Sequence, residues 1–475
     1  MRMPFEEEPM TASKRDLQTL QKQLSKIVGS EWVNREGTYL VVHPGTNDEI
    51  AQILKLANRA KRPVVPLGGG TGWWSIKRPS PGGILIRMTR MNEILIVDED
   101  AMTVTAQAGI TFQRLEEEIC RKGFRLVISP ESGKVATLGG HIETWGTSPH
   151  SSAFFEDQST QIVALKVVLP TGEIVQTGSS AVTTAGGSFA RRFFPSDLTG
   201  LFIGAESAFG IVTEATLKMH RWPETILTRM VEYRDLRPAV ATLRKIQEEQ
   251  RKGSLSTLHE QRLMQEGTFR LAVPRLADSL ARSTRYVICL RGEGESGEVE
   301  SHMAKTCGIA QSEGGRVLDD PVPEWWEGRH GLFPELVLSK GPRIMLVAIT
   351  PMGKYEEACE LAERFGHERG MDISLIGYPL GGPVMLTHVV IRFEGATAQA
   401  RERTLSLARK LMEGLMELGC VPHRVGTDFL PVLIKKLDPS YYGLVKRIKK
   451  LLDPKGIMRP GVVVPVSSEK SDRRK

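Results

Sequence analysis

No uninterrupted apolar run in the chain approaches the ~18 residues that a membrane-spanning helix needs, so a soluble protein is expected. Contact with a membrane would have to come through a partner. Cysteine is scarce and scattered: Cys120, Cys289, Cys307, Cys359 and Cys420 lie far apart and no C-x-x-C occurs. That spacing excludes an iron–sulfur cluster or zinc site of the usual kinds and suits a reducing cytoplasm. The N-terminus lacks a signal-peptide pattern, since Glu6-Glu7-Glu8 follows close behind Met1. The net charge is +7, yet no Lys/Arg block is dense enough, and no aromatic residues are interleaved enough, for a nucleic-acid surface. The basic excess favours an anionic cofactor, an anionic substrate or an acidic partner surface.

What remains is an ordinary globular composition, 40% hydrophobic and 25% charged, over 475 residues, enough for two or three domains. One stretch stands out. Val64-Val65-Pro66-Leu67 is a short apolar strand running into Gly68-Gly69-Gly70-Thr71-Gly72. Glycines there strip side chains from the backbone, leaving N–H groups that can converge on an anion such as a pyrophosphate. A tight turn explains the same residues equally well. No Lys-Ser or Lys-Thr follows, so it is not a Walker loop, and G-x-G-x-x-G is absent, so it is not a Rossmann fingerprint.

Leu17, Leu20, Leu24 and Ile27 recur at helical spacing and predict a lead-in helix over about 13–28. Thr46-Asn47-Asp48-Glu49 reads as a capping box opening a second helix. With strands at 39–42 and 64–67 this makes a βαβ unit. Short strands are predicted at 84–88, 94–97 and 103–106, and a helix at 112–122. An irregular segment follows over 129–152, then a hairpin turning at Pro170-Thr171-Gly172. Beyond Pro223, strands at 226–233, 286–290, 344–349 and 385–393 alternate with helices at 236–250, 298–306, 354–369 and 397–418. This predicts a ferredoxin-like antiparallel sheet with helices on one face. A helical pair over 428–452 and a disordered tail, 467–475, complete the reading.

Four motifs occur in one order: the Pro66–Gly72 loop, Ala136-Thr137-Leu138-Gly139-Gly140, the Gly204–Gly210 loop, and the ending Asp453-Pro454-Lys455-Gly456-Ile457-Met458-Arg459-Pro460-Gly461. Together they resemble the FAD-linked oxidases of the vanillyl-alcohol oxidase / p-cresol methylhydroxylase group. That group includes glycolate oxidase, D-lactate dehydrogenase and alkylglycerone-phosphate synthase. The resemblance runs over roughly residues 36–466. It implies an α+β architecture, a PCMH-type FAD-binding domain of two α/β subdomains with a ferredoxin-like cap. The divisions it suggests are a lead-in helix (1–35), the FAD-binding domain (36–222), the cap (223–418) and a returning segment (419–466).

The resemblance further implies that Pro66, Leu67, Gly68, Gly69, Gly70, Thr71 and Gly72 hold the pyrophosphate. Pro130, Thr137, Leu138, Gly139, Gly140, Glu143 and Gly146 would run along the flavin. Glu206, Gly210, Ile211 and Val212 would close on the adenosine half, with main-chain groups of Ile211 or Val212 reading the adenine. No histidine lies in the first glycine loop, so the FAD is expected to be noncovalent. His141 follows Gly139-Gly140, as either a spacer or an attachment point. Trp145 stands where relatives carry small residues.

For chemistry, His423 resembles the histidine placed over the flavin and is the expected base. Arg424 resembles the flavin-side arginine of phenol-oxidising relatives. Arg329, in Trp326-Glu327-Gly328-Arg329, resembles a substrate-carboxylate clamp. Tyr378 is a phenolic donor or a packing residue. The metal site of the D-2-hydroxy-acid branch is broken around Tyr378–Pro383, leaving His388 displaced and Pro422 in a ligand position, so no metal is expected.

These residues imply an FAD-dependent dehydrogenase or oxidase acting on a small anionic hydroxy acid. Electrons would pass to an iron–sulfur partner, an electron-transfer flavoprotein or a soluble acceptor. Self-association is compatible with this. A redox-neutral flavin transferase, or a flavin subunit without catalysis, are the alternatives.

Overall fold

The computed structural model describes residues 14–72, 78–146, 148, 158–194, 196–272, 279–318, 342–395 and 397–465. Arg329, its Trp326–Gly328 neighbours and the 467–475 tail lie outside these residues.

The lead-in helix, Lys14–Val28, buries Leu17, Leu20 and Leu24, the positions that recur at helical spacing. It packs with the Asn47–Ala60 helix on a four-stranded sheet, β1 (Val33–Glu36), β2 (Tyr39–Val42), β3 (Val64–Leu67) and β4 (Ile84–Arg87), in the order β1-β2-β4-β3. Thr46 caps the second helix by accepting from the Glu49 N–H at 3.1 Å. The Glu49 carboxylate reaches back to the Gly45 N–H at 2.6 Å, one residue beyond the N-cap that a strict capping box would bind. Both sheet faces are covered, since Leu40, Val42, Ile84 and Ile86 face the helices while Tyr39, Val41, Val65 and Leu85 pack on the other side. Parallel pairs need that coverage.

A second, antiparallel sheet joins the same core. It contains β5 (Ile94–Asp98), β6 (Thr103–Gln107), β8 (Ile162–Val168), β9 (Ile174–Gln176) and β10 (Ile211–Lys218), ordered β5-β6-β10-β8-β9. Between its strands, β7 (Phe124–Arg125) pairs with β11 (His220–Arg221). The segment expected to be irregular holds a short helix, Leu138–Glu143. Its glycines hid it, but they let it approach the neighbouring backbone: the Gly139 N–H donates to Ala108 O at 2.8 Å.

The third sheet is eight-stranded and antiparallel throughout. It comprises β12 (Thr225–Tyr233), β13 (Leu258–Gln265), β14 (Tyr286–Gly294), β15 (Arg316–Val317), β16 (Arg343–Pro351), β17 (Asp372–Pro379), β18 (Val384–Arg392) and β19 (Val421–Pro422), in the order β15-β12-β14-β13-β17-β18-β16-β19. Helices Leu236–Arg251, Ser296–Ser312, Tyr355–Glu368 and Ala398–Glu417 cover one face. The short helix Glu266–Ala272 packs on the other through Phe269. Alternation assigns the faces, Val231, Ile288 and Leu290 going to the helical side and Met230, Val287 and Cys289 to the opposite side. Four of its strands, β13, β15, β17 and β19, escape sequence reading, and the two long ones have identifiable reasons. β13 is Leu-His-Glu-Gln-Arg-Leu-Met-Gln, polar on both faces because its charges are paired in the interior. β17 carries Gly377, where a Cβ would sit 1.9 Å from the Tyr355 hydroxyl.

The chain end returns to the first sheet. The Val64 N–H donates to Ile457 O at 2.8 Å and the Arg459 N–H to Val64 O at 3.0 Å. Asp453, 2% exposed, fixes that return by accepting from the Ile457 and Met458 N–H groups and from Lys449 Nζ at 2.6 Å.

Candidate active site

A cavity of about 540 Å³ opens where the C-terminal end of β3 faces the side of the eight-stranded sheet opposite its four long helices. One wall is glycine-rich. A Cβ on Gly68 would stand 1.9 Å from Thr137 Oγ1, and one on Gly69 would stand 1.8 Å from Val135 O. Only glycine allows the loop to lie so close to the 135–137 backbone. Among the described residues the N–H groups of Gly68 to Gly72 have no acceptor in the protein. That is the character of an anion cradle, not of a self-satisfied turn.

Pro66, Leu67, Gly68, Gly69, Gly70, Thr71, Gly72, Pro130, Thr137, Gly139, Gly140, Glu143, Gly146, Ile211 and Val212 all line this cavity. Leu138 does not, because it points into the core at 0% exposure. Gly210 and Glu206 stand outside the lining as well, Glu206 pairing with Arg459, which does line it, at 3.4 Å. The Val212 N–H, expected to read an adenine, donates to Glu143 Oε1 at 2.7 Å. Glu143 also accepts from Ser207 Oγ. Burial pushes this carboxyl up to about 7, against the pull of the Ser207 and Val212 hydrogen bonds and the Arg459 charge.

The opposite wall comes from the eight-stranded sheet: Arg262 on β13, Arg343 and Met345 on β16, Ile376 and Tyr378 on β17, and His388 on β18, with Arg424 beside them. Tyr378 and His388 meet edge-on, their ring centroids 5.6 Å apart. His388 Nε2 is buried with no partner among the described residues. Burial, reinforced by the Arg424 and Arg262 charges, pushes its pKa down to about 3. Arg424 donates from Nε to Trp145 O at 3.0 Å, and burial lowers its pKa to about 10. Arg262 forms ion pairs with Glu131 and, at 2.9 Å, with Glu260. His423 lies beyond the lining, its ring 4.9 Å from that of Trp145. Its Nδ1 is buried without a described partner, and burial with the Arg424 charge holds its pKa well below the usual range.

Sequence reading missed Arg262, Arg343, Arg459 and Ser207. No local sequence pattern marks them, but the backbone does: among the described residues, five of the seven non-glycine residues with positive φ cluster here, namely Trp145, Glu206, Ser207, Arg424 and Arg459, at 36° to 61°. Backbone conformations of that kind persist where surrounding structure imposes them, commonly at functional sites. Among the described residues no group of three or more His, Cys, Asp and Glu gathers to hold a metal. None of the described helices is long and apolar enough to cross a membrane.

A family model for an FAD binding domain matches residues 39–178, and one for the C-terminal domain of FAD linked oxidases matches 222–463, more than half the chain. The chain belongs to the FAD-linked oxidases. It is 27% identical to glycolate oxidase subunit GlcD of Bacillus subtilis over 429 residues, covering 89% of this chain and 88% of that one. Identity to the mitochondrial cytochrome-type D-lactate dehydrogenase of Arabidopsis thaliana is 25%, covering 90% and 73%. An alkyldihydroxyacetonephosphate synthase of Trypanosoma brucei brucei is 33% identical over 189 residues, which are 39% of this chain and 29% of that one. In fold, the chain matches 4-ethylphenol oxidase from Gulosibacter chungangensis, with a TM-score of 0.81 at 17% identity over 96% of this chain and 98% of that one.

This FAD-linked oxidase therefore takes FAD, held noncovalently. The residues present fit the group: among the described residues, a loop of backbone donors without protein acceptors for the pyrophosphate, on a glycine wall packed so closely against residues 135–137 that no Cβ fits there.

Proposed function

We propose that this FAD-linked oxidoreductase dehydrogenates a small anionic 2-hydroxy acid and passes the electrons to a separate acceptor. In this reading residues 36–222 and 419–466 form the FAD-binding part, and 223–418 cap it. The observation that carries the proposal is a single cavity with two unlike walls. The glycine wall suits a dinucleotide, and the facing wall gathers arginines, a phenol and an unprotonated histidine.

Bound FAD supplies a hydride acceptor. The protein has to orient the substrate and remove the hydroxyl proton. Arg424 attracts the carboxylate, a planar group that suits a guanidinium, while Arg262 is held by Glu131 and Glu260 on the same wall. His388, neutral and with a free ring nitrogen in the cavity, accepts the proton, and the Tyr378 ring fixes its plane. His423, against Trp145, supports that arrangement from behind and is the second site for the base. The 25–27% identity to proteins named for glycolate and D-lactate supports the substrate class.

The test is anaerobic mixing of the FAD-loaded protein with 2-hydroxy acids and phenolic alcohols while flavin absorbance is followed. Bleaching by 2-hydroxy acids is expected, and bleaching by none of them overturns the proposal. His388→Ala is expected to slow reduction by about 100-fold or more, the usual contribution of a general base. If only His423→Ala has that effect, the base is His423.

A further inference from the structure

The Pro439–Leu452 helix has two apolar sides, of which only one is covered. Val445, Ile448 and Leu452, at helical spacing, pack against the core of the cofactor half. Lys449 secures that side, donating from Nζ to Asp453 Oδ2 at 2.6 Å, Ala208 O at 2.7 Å and Met458 O at 2.9 Å. Tyr441, Leu444 and Leu451 instead face water, 59%, 48% and 77% exposed. At about 100° per residue they fall within about 80° of one another, a stripe ~15 Å long. A helix packed on a core by one face ordinarily gives its remaining surface to polar residues.

The charge around this stripe has one sign. The helix contains no Asp or Glu. The flanking acids are occupied: Asp438 accepts from the Tyr441 N–H at 2.7 Å, and Asp453 is buried beneath the helix end. Lys436, Lys446, Arg447, Lys450 and Lys455 are exposed, and among the described residues none of them has an ion pair. Their neighbour Lys435 does, with Glu413 at 3.5 Å. Arg447 lies about 40° round the helix beyond Leu451, and Lys450 about 100° beyond, so cations border the stripe on the side away from the core.

We propose that this helix docks the protein on an anionic phospholipid bilayer. Tyr441, Leu444 and Leu451 enter the boundary between headgroups and acyl chains, and the cations meet the lipid phosphates. Area favours lipid over a protein partner. At these exposures the three side chains offer about 350–400 Å², well short of the ~800 Å² per partner of a stable protein interface. An interfacial helix needs less, because leucines and an aromatic insert while long basic side chains reach the headgroups beside them. The contact is direct and peripheral, where the sequence reading expected a membrane to be reached only through a partner.

The test is co-sedimentation of the FAD-loaded, full-length protein with vesicles of phosphatidylcholine, alone or with about one-third phosphatidylglycerol. Expected is binding at least about tenfold tighter to the anionic vesicles, weakening as salt rises from about 0.1 to 0.5 M. Lys446→Gln, Arg447→Gln and Lys450→Gln together should weaken it about a hundredfold, roughly fivefold per cation. Leu444→Ser with Leu451→Ser keeps every charge, so it separates docking from plain adsorption of a basic protein. It should weaken binding about tenfold or more. Equal binding to both vesicle types, or a serine variant that binds like the parent, overturns the proposal. So does capture of polyglutamate with no binding to vesicles, the result expected of a surface for an acidic protein. If a variant loses its FAD and does not fold, the lipid comparison and salt series on the parent protein decide.

Discussion

A histidine accepts a proton only while it is neutral, and the surroundings of His388 decide when that is. Burial, with Arg424 and Arg262 adding to it, pushes its pKa down to about 3. In the free FAD-loaded protein it is therefore unprotonated from pH 5 upward. The second-order rate constant of flavin reduction by a 2-hydroxy acid reports the free protein, so it is expected to stay within about twofold between pH 8 and pH 5. An acid limb near pH 6.5 in a rapid-mixing series would count against His388. Arg424→Met removes one of the cations that depress it, so the acid limb should move to higher pH. Glycine 69 gives a second test at this scale. A Cβ there meets Val135 O at 1.8 Å, and a backbone oxygen cannot swing aside. Overpacking of that kind costs about 1–3 kcal/mol, so Gly69→Ala should weaken FAD binding by roughly 5- to 150-fold. Retention of FAD through gel filtration, read from the flavin-to-protein absorbance ratio, checks it. The glycines were legible in sequence because their composition is local. The place of Arg262 and Arg343 in the cavity wall was not, since an isolated arginine in a strand looks like any surface charge.

The Leu138–Glu143 helix and β10 meet through one carboxyl. Glu143 takes the Val212 N–H and the Ser207 hydroxyl, and burial raises its pKa to about 7 from the 4.5 of an ordinary glutamate. An acid whose folded pKa is raised binds more protons folded than unfolded. Its stabilising contribution is full below about pH 4.5 and is lost as the pH rises through 7. Urea midpoints of the FAD-free protein should fall between pH 5 and pH 8, by up to about 3 kcal/mol from this group alone. Glu143→Gln should flatten that profile, and an identical slope in the variant would refute the assignment. Elements with a clean period were readable in sequence: the 14–28 and 47–60 helices, the hairpin turning at 170–172, and the helices of the cap. β13 and the 138–143 helix were not. Their patterns follow partners far away in the chain, such as Glu131 for Arg262 and Ala108 for Gly139.

At the scale of the molecule, the eight-stranded sheet is fastened to the cofactor half by buried charge. Arg125, on β7, pairs with Glu293 on β14, and the same carboxylate takes Arg291 Nε at 2.5 Å, with His259 Nδ1 3.3 Å away. Glu293 is fully buried at its side chain. Removing one partner of such a set leaves the others uncompensated, so Glu293→Ala is expected to cost about 3–5 kcal/mol in chemical denaturation. A loss below about 1 kcal/mol, the range of exposed pairs, would show that the cluster does not hold the two parts together. The sequence by itself determined most of the regular elements, and the order of its four motifs carried the resemblance that implied the cofactor and the α+β architecture. Glycine spacing, capping residues and hydrophobic period all act over a few residues and need no tertiary partner. Only the tertiary structure decided which histidine faces the cavity and which arginines share it. Those depend on strand register, which pairs β16 with β18 and brings the chain end back beside Val64. Register arises from contacts between residues distant in sequence, and nothing local to Arg343 or His388 records it.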